Sequence, residues 1–78
     1  MKDPEKVKVD WKAFGKRVRD LRGPKTRQAD FAAELGISQG QLSRYEQGSS
    51  EASAEVLLRL AQHAGKTIEW LLTGEPDR

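Results

Sequence analysis

The chain has 78 residues, of which 36% are apolar and 33% charged, with no cysteine and a single histidine, His63. That excludes a disulfide framework, a thiolate zinc site and a multi-histidine metal site. No wholly apolar run exceeds three residues, as in Val56-Leu57-Leu58, so nothing spans a bilayer or serves as an apolar signal segment. The length points to one small domain with a cytoplasmic address by default, no cofactor and no constellation suited to an enzyme. The formal net charge is only +2, but it is unevenly spread. Residues 1–48 carry eleven Lys and Arg against seven Asp and Glu, whereas residues 49–78 carry three against five. Between 12 and 27, seven basic residues stand against Asp20 alone. Such asymmetry fits one surface for a polyanion and another for something else, although an ordinary charged helix face has the same composition.

In chain order the sequence predicts five helices and no strand. Residues 1–9 are polar, contain Pro4 and lack a helical period, so they read as a mobile N-terminal arm with Lys2, Lys6 and Lys8. Helix 1 takes Asp10 as N-cap and runs to about Arg22, with Trp11, Phe14, Val18 and Leu21 within an arc of about 80°. Gly23-Pro24 ends it. Helix 2 starts near Thr26 or Arg27 and ends at Leu35, with Phe31, Ala32 and Leu35 on one face and Gly36 as a left-handed cap. Ser38-Gln39-Gly40-Gln41 has the capping-box spacing, which sets helix 3 at Gln39 to about Gln47. Ser53 caps helix 4, whose apolar stripe is Leu57, Leu60, Ala61 and Ala64, and Gly65 closes it. Thr67 caps a short helix 5 closed by Gly74, and residues 76–78 read as a loose tail. Trp11, Phe14, Phe31 and Tyr45 stand at core spacing.

The informative stretch is 26–48. Two short helices joined by Gly36-Ile37-Ser38 cannot pack antiparallel, so the second must leave at a steep angle, the helix-turn-helix geometry. Ala32 allows close approach at their crossing, while Leu42 and Tyr45 point helix 3 at the core. The opposite face of helix 3 then shows Gly40, Ser43, Arg44 and Gln47, with Gln39 at its tip. Uncharged hydrogen-bonding groups plus an arginine suit the major groove, because Gln can bond adenine N6/N7 and Arg can bond guanine O6/N7. A merely solvated face is the bland alternative.

The residues Gln28, Phe31-Ala32, Leu35-Gly36-Ile37-Ser38, Leu42-Ser43-Arg44-Tyr45-Glu46 and Gly48, followed by two closing helices, resemble the phage-repressor-like helix-turn-helix family of the Cro and xenobiotic-response-element type. The resemblance covers about residues 11–75 and implies an all-α, five-helix, lambda-repressor-like domain over 10–75. Two departures stand out: the segment 22–28 is a residue shorter than a common family form, and Gly40 occupies a position where relatives often carry a base-reading side chain. By the resemblance, Gln28 bonds a backbone phosphate and Gln39. The helix N-terminus attracts the same phosphate.

The site expected from residues and resemblance together has Gln39, Gly40, Ser43 and Arg44 facing bases, and Lys25, Arg27, Gln28 and Gln47 facing phosphates; Ser43 also lies within reach of the backbone. Arg22 and Glu46 lie on apolar sides of helices 1 and 3 and are expected to meet as a partly buried structural ion pair. Trp70 and Leu71, in the acidic half, are the expected dimer surface, and His63 is a structural residue rather than a metal ligand. The resulting expectation is a homodimeric transcriptional regulator, a repressor on a pseudo-palindromic double-stranded operator, with no membrane contact and no small-molecule effector. An antitoxin, a restriction-system controller or a helical protein-binding adaptor on the same fold remain open.

Overall fold

The computed structural model describes residues 8–75. Helix α1 (Trp11–Arg22) begins where Asp10 adopts an extended backbone and its carboxylate accepts the Ala13 N–H at 3.1 Å. Four more helices follow: α2 (Gln28–Leu35), α3 (Gln39–Gln47), α4 (Ala54–Ala64) and α5 (Ile68–Thr73). No strand occurs among the described residues. Ser38, Ser53 and Thr67 each accept the backbone N–H three residues on, from Gln41, Val56 and Trp70. In α3 the box is reciprocal, because the Gln41 side chain accepts the Ser38 N–H at 3.0 Å. Of the expected arm, only Lys8 and Val9 are described, without regular structure; Lys2, Lys6 and the 76–78 tail lie outside the described residues.

Helix α2 starts slightly later than the sequence suggests. Arg22 Nη1 donates to the Thr26 carbonyl at 2.7 Å, and Arg27 is extended, without a side-chain capping bond. The chain is thus held out of the helix until Gln28.

The core takes Phe14 and Val18 from α1, Phe31, Ala32 and Leu35 from α2, and Leu42 and Tyr45 from α3. Val56, Leu57, Leu60 and Ala61 of α4 and Leu71 of α5 complete it. Trp11 is only partly buried, since as the first helical residue it covers the end of the core, its ring edge-on to Phe14 at 5.2 Å. On α4, Val56 is buried and Ala64 only half-buried, so the stripe sits closer to the helix N-terminus than the sequence suggests.

Helix α3 packs on α1 and α2, while α5 packs on α1 and α4. Two small residues set these approaches. Ala32 is buried in α2. Gly15, buried in α1, lies so close to α3 that a Cβ would stand 2.7 Å from the Glu46 carbonyl oxygen and nearer still to that of Tyr45. The α2–α3 turn closes with Gly36 left-handed (φ 71°), Gly36 N–H on the Ala33 carbonyl and Ile37 N–H on the Ala32 carbonyl, a Schellman pattern. Arg59 of α4 reaches over this turn, and its Nη1 donates to the Leu35 carbonyl at 2.9 Å. The placement of α3 is therefore held from three sides.

Candidate nucleic-acid interface

Glu46 anchors the interface from beneath. Its side chain is 1% exposed and accepts two hydrogen bonds from Arg22, from Nε at 2.7 Å and from Nη2 at 2.9 Å. Gln28 Nε2 adds a third at 3.1 Å, and Arg19 Nε stands 3.8 Å away. Burial by itself raises the Glu46 carboxyl, but the hydrogen bonds from Arg22 and Gln28 and the charges of Arg22 and Arg19 outweigh it. The net effect holds it below the ordinary glutamate value. The Arg22 guanidinium is correspondingly raised, first by its hydrogen bonds to Glu46. One carboxylate thus ties the end of α1 and the start of α2 to the inner face of α3.

The outer face of α3 is built by the same constraint. With Leu42, Tyr45 and Glu46 buried, Gln39, Gly40, Arg44 and Gln47 are exposed and Ser43 is half-buried. Gln47 Nε2 donates to Ser43 Oγ at 3.1 Å, so these two are paired along the helix. Gln39 and Arg44 make no side-chain hydrogen bond or ion pair among the described residues. The start of α2 meets α3 through Gln28 and Glu46. Lys25 and Arg27, just ahead of α2, are exposed, and Arg27 pairs with Asp30 at 3.2 Å, a surface pair of little energetic weight. Gln28 is half-buried, and its amide nitrogen goes to Glu46 in the free protein, with the amide oxygen left to accept.

Helix α5 requires a correction. Leu71 is fully buried against the core and cannot form a dimer surface. Trp70 is half-buried with Lys66 Nζ 5.1 Å above its ring. The two are neighbours on a helix of six residues, too short for a period that would tell the inner from the outer side. His63 lies edge-on to Phe31 at 5.2 Å and 3.8 Å from Glu34. No group of three or more His, Cys, Asp or Glu among the described residues is placed to hold a metal. No helix among them is long and apolar enough to cross a membrane.

Sequence reasoning missed two residues that position α3. Gly15 carried a usable signal, since a glycine inside a helix is destabilising and asks for a reason. Arg59 carried none, because a lone arginine on an amphipathic helix reads as a solubilising residue.

A helix-turn-helix family model matches residues 16–71. An HTH-type transcriptional regulator of Haemophilus influenzae is 33% identical over 58 residues, which is 74% of this chain and 23% of that protein. The chain thus spans about a quarter of that relative's length. The P22 c2 repressor, in complex with a synthetic operator, superposes with a TM-score of 0.73 at 28% identity, over 88% of this chain and 100% of that one. The restriction-modification controller C.AhdI of Aeromonas hydrophila superposes with a TM-score of 0.68 at 27% identity, over 80% and 96%. From the three-residue α2–α3 turn, the buried face of α3 and a match over most of the chain, it follows that this protein belongs to the Cro/C1-type helix-turn-helix family.

Proposed function

We propose that the domain over 10–75 binds double-stranded DNA and regulates transcription, as a cytoplasmic repressor that reads the major groove with the outer face of α3. Gln39 and Arg44 contact base edges, while Lys25, Arg27, Gln28, Ser43 and Gln47 contact the sugar–phosphate backbone. The observation that carries this reading is the state of Gln39 and Arg44. Both are exposed and lack side-chain partners among the described residues, on a helix whose other face is fixed by Leu42, Tyr45 and Glu46. One module of this size covers a half-site. A homodimer on a pseudo-palindrome, with half-sites about 34 Å apart, completes the operator. Trp70, with the half-buried Leu72 next to Leu71, is the surface we assign to the dimer contact.

The test is fluorescence anisotropy on duplexes drawn from a random-sequence selection, across about 50–300 mM salt. Log K should fall with log salt at a slope of about −3 to −6 per dimer, which corresponds to two or three strong phosphate contacts in each protomer. A flat response, or no binding at low salt, leaves a protein-binding adaptor in its place. Similarity to C.AhdI favours a second reading, control of a restriction system through the same interface. The genomic position of the selected operator distinguishes it.

A further inference from the structure

The chain has seven glycines, and six have a structural reason. Gly23, Gly36, Gly48, Gly65 and Gly74 lie at positive φ, and Gly15 lies against the backbone of α3. Gly40 has neither reason. Its φ is not positive, it sits in the first turn of α3, and the atoms nearest to a Cβ there are Arg44 Nη1 at 3.8 Å and Ser38 Oγ at 4.0 Å. Those are ordinary or looser contacts, so backbone and packing do not themselves require a residue this small, and what position 40 lacks without a structural reason is a long side chain.

The neighbour that does approach it is informative. Residues four apart stack on one helix face, and side chains lean towards the N-terminus, so Arg44 leans over position 40. Its guanidinium lies beside the bare Gly40 backbone, where a long side chain at 40 would otherwise stand. Of the other polar side chains nearby, Gln41 is tied to Ser38 and Gln47 to Ser43, while Gln39 stands at the helix tip without a side-chain partner among the described residues.

We infer that Gly40 is the seat of Arg44 and that the two form one reading unit selecting guanine, with residue 40 setting specificity through the space it leaves. The inference rests on the DNA-binding reading above. Guanine follows from the chemistry: the guanidinium fork carries donors only, and guanine O6 and N7 present two acceptors in the major groove. Adenine presents one acceptor beside a donor.

The experiment is selection of bound sequences from random duplexes, with anisotropy on the winning site and its guanine-substituted counterparts. It compares the parent with Gly40→Ala, Gly40→Gln and Arg44→Ala. The parent should select one guanine per half-site at least tenfold over the other bases, the discrimination a bidentate contact supplies. Gly40→Ala should keep that preference, because its methyl group fits beside Arg44. Gly40→Gln and Arg44→Ala should each lose it, with thermal melts no lower than the parent's for the two Gly40 variants. Retention of guanine by Gly40→Gln, its loss in Gly40→Ala, or a parent motif independent of Arg44 would overturn the inference while leaving DNA binding intact. Failure of the parent to bind any duplex would overturn the inference and the DNA-binding reading together.

Discussion

Replacing Glu46 with alanine removes the carboxylate that holds three elements together. Two hydrogen bonds from Arg22 and one from Gln28 disappear, and the Arg22 side chain, 17% exposed, is left with the Thr26 carbonyl as its remaining partner. Removing one partner of a fully buried pair costs about 3–5 kcal/mol. The partial exposure of Arg22 and its bond to Thr26 reduce that to about 2–4 kcal/mol for this pair. For a domain of this size the loss is a fall in Tm of about 10–25 °C. Glu46→Gln keeps an acceptor for Arg22 and loses the charge, so a smaller fall of about 1–2 kcal/mol is expected. Thermal melts by circular dichroism at pH 7 measure both. If both variants melt within about 2 °C of the parent, the carboxylate is not the tie between α1, α2 and α3, and the energy assigned to the ion pair is wrong.

The same carboxylate sets an acid limb. Its folded-state pKa lies below the ordinary value of 4.5, so its contribution to stability is complete above that value and is lost as pH falls through the depressed one. Melting temperature should therefore hold from pH 7 to about 5 as far as this group is concerned, then fall more steeply in the parent than in Glu46→Gln; parallel acid limbs would refute the assignment. Gly15→Ala should lose about 1–3 kcal/mol in urea denaturation through the collision with the Tyr45 and Glu46 carbonyls, and an unchanged midpoint would mean that α1 and α3 can separate cheaply. Lys25→Ala should weaken binding to all duplexes alike and flatten the salt slope by about one unit per protomer, whereas a change in preferred sequence would place Lys25 in the groove. Arg59→Ala should lower DNA affinity with the salt slope unchanged, since its side chain holds the turn through Leu35 and is not among the proposed phosphate contacts; a flatter slope would make it a contact residue.

The helix starts were legible in the sequence because their chemistry is local. A cap and the N–H it accepts lie three residues apart, and Asp10, Ser38, Ser53 and Thr67 all stand directly before periodic apolar runs. The short turn closed by Gly36 was legible for a similar reason, since three residues between two short helices leave few geometries. Arg22 and Glu46 stand out as charges on otherwise apolar arcs, and a charge in that position needs a partner.

Apart from that ion pair, what lies between elements distant in the chain was not legible. Gln28 reads as a partner of a backbone phosphate and of Gln39, but Glu46, eighteen residues on, takes its amide nitrogen. Arg59 bonds the end of a helix twenty-four residues earlier. Leu71 is buried and Trp70 half-exposed only because α1 and α4 close over one side of a helix too short to show an apolar period. Sequence alone thus determined the five helices, their ends apart from the start of α2, and the uncharged-plus-arginine composition of the α3 face, since capping and periodicity act within a few residues. Tertiary structure alone decided how far each side chain is exposed and which polar groups are already paired from one helix to another. Those properties depend on how helices approach one another, and no local pattern encodes that distance.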